Sequence, residues 1–236
     1  MSEARRNLLS EILRQAVTVI IVLGVLFVLA AIGHTSEDQL IGAFTNFFRN
    51  PVNLSIFAPI LGAVTLMFIN HRKHGTLRGW ALVFTAIPLV ITAGLWLGWW
   101  DVLGRLFSPT SFLGETMRVW MRFVPSFEGF NYFLDRNWID ILNVHYIVGL
   151  DGLSFPLFLM TAFISVLACI ASFGIKERVK EYFILYLLLV GGMLGVFAAL
   201  DYFLFYVFWE GSLVPMYFLI GIWGGPRRMY AAIKFF

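Results

Sequence analysis

Apolar stretches about as long as a bilayer is thick recur along the chain, with polar connections between them. Six stand out, at residues 17–33, 54–70, 79–100, 152–174, 182–200 and 202–223. Each comes near the ~20 residues that a helix needs to cross the hydrocarbon layer. A seventh opens at Met229, and the closing Phe235-Phe236 pair carries neither cap nor stop signal. The sequence therefore reads as the N-terminal piece of a longer polypeptide.

Composition agrees with the pattern. The chain is 60% hydrophobic and 13% charged, with a mean hydropathy of +0.83. A soluble domain of 236 residues has no interior large enough for that much apolar surface. The expected fold class is an all-α integral membrane protein, a multi-helix transmembrane bundle, because lipid requires each backbone group to find a partner inside its own segment. A formal charge of +3 is too small to suggest a nucleic-acid partner. The expected surroundings are the lipid bilayer and other membrane proteins.

Lys and Arg fall on alternate connections. Arg5, Arg6 and Arg14 precede the first apolar segment, and Arg72, Lys73 and Arg78 lie between the second and third. Lys176, Arg178 and Lys180 lie between the fourth and fifth, and Arg227-Arg228 follow the sixth. The positive-inside rule assigns these connections, and with them the N-terminus, to the cytoplasm. A multi-pass protein of a bacterial inner membrane is the expected setting. The first segment has a second reading: its basic lead and Ala31-Ile32-Gly33 resemble a signal peptide with a small-x-small cleavage site, although the apolar run is long for one.

Glu210 is the chemically informative residue. It lies in the otherwise uncharged stretch 202–223, with Pro215 five positions later. A carboxylate near the bilayer centre costs roughly 2.5–3.5 kcal/mol on insertion scales, so intramembrane acids are usually functional. A proline removes one helical donor, and an acid beside such an irregularity suits a proton or ion site. Lys234 is a second candidate. It lies near the inner start of the next helix, where snorkelling or structural pairing is expected before proton transfer.

Other features read as structure. Gly191 and Gly195 form a GxxxG pattern that permits close helix approach, here expected to bring the fifth and sixth segments together around Glu210. Asp201 should sit at the outer interface. Trp96, Trp99, Trp100 and Trp223 fall at segment ends and read as interfacial anchors. The long polar region 101–151, rich in aromatics and charges, is expected to run over the outer surface as a connector. Cys169 is the single cysteine, and no CxxC, HExxH, GxGxxG or P-loop pattern occurs, so neither metal nor nucleotide site is expected. The four histidines share no ligand spacing.

Several runs carry a family resemblance. Gly149-Leu150-Asp151-Gly152-Leu153-Ser154-Phe155-Pro156-Leu157 resembles the LGxDGLSxPL stretch of chain M (the NADH dehydrogenase subunit 4 type) of respiratory complex I, the proton-translocating NADH:quinone oxidoreductase. Residues 175–182 resemble that family's IKERVKEY loop, and residues 192–236 follow its pattern through FWExxLxPMYFLI to AAxKFF. The resemblance covers roughly residues 54–236. It implies an antiporter-like subunit of about fourteen helices in two inverted repeats, the essential glutamate corresponding to Glu210 and its lysine partner lying beyond residue 236. Lys234 matches the lysine of the AAxKFF motif instead. The implied division is an N-terminal extension with an additional helix over residues 1–50, followed by the first part of the antiporter-like domain over 51–236.

The resemblance further implies that the chain itself holds no cofactor. Flavin, iron–sulfur clusters and quinone would belong to partner subunits, and neighbouring antiporter-like subunits would be its contacts. Two departures stand out. Residues 1–50 have no usual counterpart, and Val190-Gly191 stand where many members carry an acidic residue. A Na⁺/H⁺ antiporter or membrane-bound hydrogenase subunit shares the same fold and glutamate. A structural bundle without transport is the alternative from another class.

Overall fold

A computed structural model of the chain describes residues 47–71, 73–100, 120, 129–139 and 144–236. The first apolar segment, the N-terminal arginines, residues 1–46 of the expected 1–50 extension, Arg72, His34 and most of 101–128 lie outside the described residues.

The order of elements is α1 (Pro51–Phe68), α2 (His74–Leu97), β1 (Asn131–Ile139), β2 (Val144–Leu150), α3 (Ser154–Ala171, ending in a 3-10 turn Ser172–Gly174), α4 (Val179–Ala198), α5 (Tyr202–Trp223) and α6 (Arg228–Phe235). The first five helices are long and apolar enough to cross a membrane. They correspond in order to the second through sixth apolar segments, and the helical membrane fold class holds. Residues 202–223 match the sixth segment end to end. α2 and α4 begin three to five residues before their apolar runs, because the polar turns at His74–Arg78 and Val179–Glu181 are helical too.

α4 is the axis of the bundle. It packs against α1, α2, α3 and α5, and Phe183, Leu185, Leu187, Val190, Leu194 and Ala198 along its length are fully buried. Three of its glycines set the approach of its neighbours. A methyl group on Gly191 would sit 3.0 Å from the Ile56 carbonyl oxygen of α1. One on Gly192 would sit 3.0 Å from the Ser212 Cβ of α5, and one on Gly195 would overlap the Phe208 ring. The GxxxG pair is thus divided between two partners. Gly195 brings α4 and α5 together, whereas Gly191 serves α1. The expectation of one shared seam is corrected on this point: Gly195 lies about 40° round the helix from Gly191 and one turn along it, toward the side of Gly192, so the boundary between the α1 and α5 sides of α4 falls between the two glycines of the pattern.

Helix ends find specific partners, as they must where water is scarce. Asn50 caps α1, its Oδ1 accepting from Val52 N at 2.9 Å, while its Nδ2 donates to the Tyr132 carbonyl at 2.7 Å. Pro51 takes the first helical position, where a missing N–H costs nothing. Asp201 caps α5 through Phe203 N and Leu204 N at 2.9 and 3.0 Å. Asp151 accepts from Ser154 N and Leu153 N at 2.6 and 3.0 Å ahead of α3. The Ser154 N–H above all holds the Asp151 carboxyl below its ordinary value. At the C-terminus of α1, the Lys180 ammonium donates to the Met67 and Ile69 carbonyls at 2.7 and 2.8 Å. A cation at that end also meets the negative pole of the helix dipole. α2 ends on Gly98, whose φ of 71° is left-handed.

The region 101–151 is more than a connector. β1 and β2 pair antiparallel, with Asp135 opposite Ile147 and Asn137 opposite His145. β2 alternates, with Val144, Tyr146, Val148 and Leu150 directed into the bundle and buried. The surface-connector expectation fails for residues 144–150 for that reason. The Tyr146 hydroxyl donates to Asn53 Oδ1 of α1 at 2.7 Å, and Leu200 N donates to the Ile147 carbonyl at 2.9 Å. The hairpin therefore ties the start of α1 to the α4–α5 junction.

Tyr146 and Asn53 are both fully buried. Tyr146→Phe keeps the ring and strands the Asn53 oxygen, a loss of about 1–3 kcal/mol. The thermal midpoint of the detergent-solubilised protein should fall accordingly. An unchanged midpoint would remove the hairpin clamp from the account.

Candidate functional site

Glu210 stands on the second turn past the start of α5, about nine residues or ~14 Å along the axis from its Asp201 cap. α5 is among the least buried of the spanning helices. Its inward edge is Leu204, Phe208 and Pro215, while Tyr202, Tyr206, Trp209 and Gly211 are exposed and Glu210 is half-buried. Tyr206 lies one turn earlier. The four-residue spacing puts the two groups on one helix face.

The backbone beside Glu210 is also special. Pro215 has no N–H to give to the carbonyl four residues back, which is that of Gly211. A Cβ on Gly211 would meet nothing within 4 Å, so the helix surface beside the acid is open. The Ser212 hydroxyl donates to the Trp209 carbonyl at 2.7 Å. The result is a notch that presents a carboxylate, a phenol and a carbonyl released from the helical ladder. Such a set can hold a proton or a cation, or accept bonds from a donor on another helix.

Two contacts hold the notch in place. Phe208 and Ser212, two residues before and after Glu210, are the side chains that fit against Gly195 and Gly192 of α4. The carboxylate thus lies between two fixed points of the helix seam. At the other end of α5, Trp223 Nε1 donates to the Glu177 carbonyl at 2.9 Å and the Trp223 ring meets Tyr182 edge-on.

Lys234 lies elsewhere. It is exposed on α6, with its ammonium 5.8 Å from the centroid of the Tyr230 ring. Among the described residues no ion pair joins it to Glu210. His71 and His74 are exposed beside α2, and His145 Nδ1 is 2.9 Å from Asp135 Oδ1 across the hairpin. Among the described residues, no group of three or more His, Cys, Asp or Glu side chains converges. Tyr206, Gly211 and Lys180 were not singled out as site residues from the sequence. The Tyr206–Glu210 spacing was available there as a signal.

Four apolar spanning helices around a fifth, glycine-bearing one, with an acid in one of the outer helices, define a polytopic helical membrane protein. Residues 89–197 match the family model for the amino terminus of NADH-ubiquinone oxidoreductase chain 4. Residues 199–236 match the model of the transmembrane region of the NADH:quinone oxidoreductase/Mrp antiporter family. The chain is 36% identical over 185 residues to NAD(P)H-quinone oxidoreductase chain 4 of Prochlorococcus marinus strain NATL2A, covering 78% of this chain and 30% of that relative. It is 46% identical over 114 residues to NADH-quinone oxidoreductase subunit M of Rhodobacter capsulatus, covering 48% and 22% of the two. The chloroplastic chain 4 of Mesostigma viride is 46% identical over 101 residues, 43% of this chain and 20% of that protein. Residues 89–236 thus fall almost wholly within models of NADH:quinone oxidoreductase chain 4 and of the NADH:quinone oxidoreductase/Mrp antiporter family, and these relatives carry the names chain 4 or subunit M. It spans less than a third of the length of these relatives.

The seam beside Glu210 can be probed from both sides. Gly195→Ala forces a methyl into the Phe208 ring and should destabilise by about 1–3 kcal/mol, as overpacking does. Gly211→Ala enters open space on a helix and should be neutral or gain up to ~1 kcal/mol. Thermal unfolding of the purified variants compares the two. Equal effects would mean that α4 does not hold α5 in this way.

Proposed function

We propose that the chain is part of a membrane subunit of a proton-translocating NADH:quinone oxidoreductase, and that Glu210 carries protons within it. The supporting observation is the notch itself: a carboxylate at mid-helix, with a phenol one turn away on the same face and a carbonyl that Pro215 releases beside it. The matching family models and the names of the relatives point to the reaction in which such a group would act. The chain contributes no redox chemistry in this reading. Flavin, iron–sulfur clusters and quinone sit on partner subunits, and neighbouring antiporter-like subunits adjoin this one. Lys234 is read first as a cation of the inner interface and second as a proton carrier.

The mechanism asks three things of these residues. Glu210 alternates between holding and releasing a proton. Tyr206 donates to the ionised form and so stabilises it. The α4 seam keeps the acid at a fixed depth while its electrostatic surroundings change. A Na⁺/H⁺ antiporter remains the second reading, because the matching transmembrane model spans both activities.

Glu210→Gln keeps the shape and removes the titration. In the assembled complex, proton translocation should fall about tenfold or more, each factor of ten being ~1.4 kcal/mol, while assembly and the absence of flavin or iron–sulfur absorbance on this chain persist. Normal proton translocation by the assembled variant would leave Glu210 a structural group. Sodium transport lost in place of proton transport would favour the antiporter.

We further propose that the end of the bundle carrying Arg78, Lys176 and Lys180 faces the cytoplasm of a bacterial cell, with the N-terminus on that side. Arg78, Lys180 and Trp223 bind backbone at that end, and the hairpin lies at the other. Position 120 is a poor reporter, since Trp120 is buried and donates to the Arg49 carbonyl at 2.6 Å. Asn137 and Lys176 are exposed at opposite ends. In a Cys169→Ser background, Asn137→Cys should react with an impermeant thiol reagent on intact cells, and Lys176→Cys only after the membrane is opened. The reverse pattern would invert the topology.

A further inference from the structure

α5 is anchored unevenly along its length. Its outer part is held at many points. Asp201 caps it through Phe203 N and Leu204 N, Leu200 N donates to the Ile147 carbonyl of the hairpin at 2.9 Å, and the Phe203 ring meets Trp138 of β1 at 5.7 Å. Leu204 and Phe208 are buried, and Phe208 and Ser212 fit against Gly195 and Gly192 of α4. The last buried side chain of α5 is Pro215, and every residue over 216–223 is half-buried. At the inner end Trp223 holds the helix, its Nε1 donating to the Glu177 carbonyl at 2.9 Å.

Between the two parts the hydrogen-bond ladder is interrupted. Pro215 has no N–H for the Gly211 carbonyl, and a Cβ on Gly211 would meet nothing within 4 Å. Helices bend sharply at such a break, with proline as the usual cause.

The segment that Trp223 grips is a shared joint. The Arg78 guanidinium of α2 donates to the Ile175 carbonyl at 2.9 Å. Lys180 donates to the Met67 and Ile69 carbonyls at the end of α1. Between these two attachments Arg178 has a φ of 49° and a ψ of 46°, the left-handed region that a side chain makes costly. A residue keeps such a conformation where its surroundings over-determine it, and switch regions are among the places where that occurs.

We infer that α5 is a lever, hinged between Gly211 and Pro215, whose inner arm over 216–223 is set by the joint at 175–180 while the outer arm keeps Glu210 at a fixed depth. α6 rides on the inner arm: a Cβ on Gly221 would lie 3.6 Å from that of Ala232, and the Phe236 ring is 5.5 Å from Tyr217. Glu210 stands beside the hinge on the fixed side. A swing of the inner arm changes what lies beneath the carboxylate and the Gly211 carbonyl, and leaves the carboxylate in place. A displacement of α1 or α2 at the inner rim reaches the arm through the joint and Trp223. The use of this lever in transport rests on the reading of Glu210 as a proton carrier, whereas the lever itself does not.

Nitroxide pairs read the arms separately in the full-length subunit, assembled with its complex in phospholipid vesicles. In a Cys169→Ser background, the pair Val90→Cys with Ile220→Cys spans to the inner arm, and Val90→Cys with Tyr202→Cys spans to the outer one. The distance distribution of the first pair should be the broader. Trp223→Phe keeps a ring and removes the donor, and should broaden the first pair further. Pro215→Ala restores the ladder bond and should narrow it to the width of the second. If Pro215→Ala does not assemble, Gly211→Ala stiffens the same turn and replaces it. Equal widths for the two pairs, unmoved by Trp223→Phe, would overturn the lever. Proton translocation by the assembled Trp223→Phe complex should fall severalfold while NADH oxidation continues. Undiminished translocation alongside shifted distances would sever the lever from Glu210 and overturn the proposal as well. Normal translocation by Glu210→Gln would instead overturn the reading of Glu210 and leave the distances as expected.

Discussion

Hydrocarbon offers no hydrogen bonds, and the rest of this structure follows from that constraint. Inside each spanning helix the backbone satisfies itself, so the difficulty moves to the ends and to the prolines. The ends are met one by one by residues from other elements. Asn50 joins the start of α1 to the hairpin, and Lys180 reaches from the first turn of α4 to the last carbonyls of α1. The Trp223 indole and the Arg78 guanidinium donate to the short segment between α3 and α4. Each bond answers a local requirement of one helix and, in doing so, fixes a second helix against it. A bundle held at its rims by such bonds needs little in the middle beyond close packing.

Close packing is where the glycines of α4 enter. Apolar side chains gain almost nothing by leaving lipid for each other, so association rests on contact area, and small residues let backbones approach. Gly192 and Gly195 admit Ser212 and Phe208, the two neighbours that bracket Glu210. The acid thus inherits its position from a packing contact. This separates two roles that are easily merged: the seam sets where the carboxylate stands, and the proposed proton chemistry rests on the carboxylate itself. Pro215 belongs to both, since it packs inward while leaving the Gly211 carbonyl available.

Much of this was legible in the sequence, and the remainder was hidden for physical reasons. Apolar length located α1 through α5, and it located α5 at both ends because Asp201 and Gly224 bound an unbroken run. It placed the start of α4 late because helical turns at an interface are polar, so hydropathy ends before the hydrogen-bond ladder does. Glycine spacing announced close approach but could not say to which helix, and Gly191 turned out to serve α1. The hairpin carried a readable signal in the alternation of Val144, Tyr146, Val148 and Leu150, obscured by the aromatic and charged residues before it. Lys180 read as a marker of the inner side. Nothing in its sequence context showed that its ammonium closes the end of a helix 111 positions earlier.

The bundle's asymmetry follows from the same constraint. A helix whose exposed groups are all satisfied can face lipid indefinitely, and α3 is such a helix. A helix with an ionisable side chain and a released carbonyl is incomplete until something polar covers it. Among the described spanning helices, α5 is the one that carries an acid at mid-span. Its demand is specific, because the cover must supply donors at the depth of Glu210 and be slender enough to fit beside Gly211. A spanning helix with a cationic or hydroxyl side chain at that level meets both conditions.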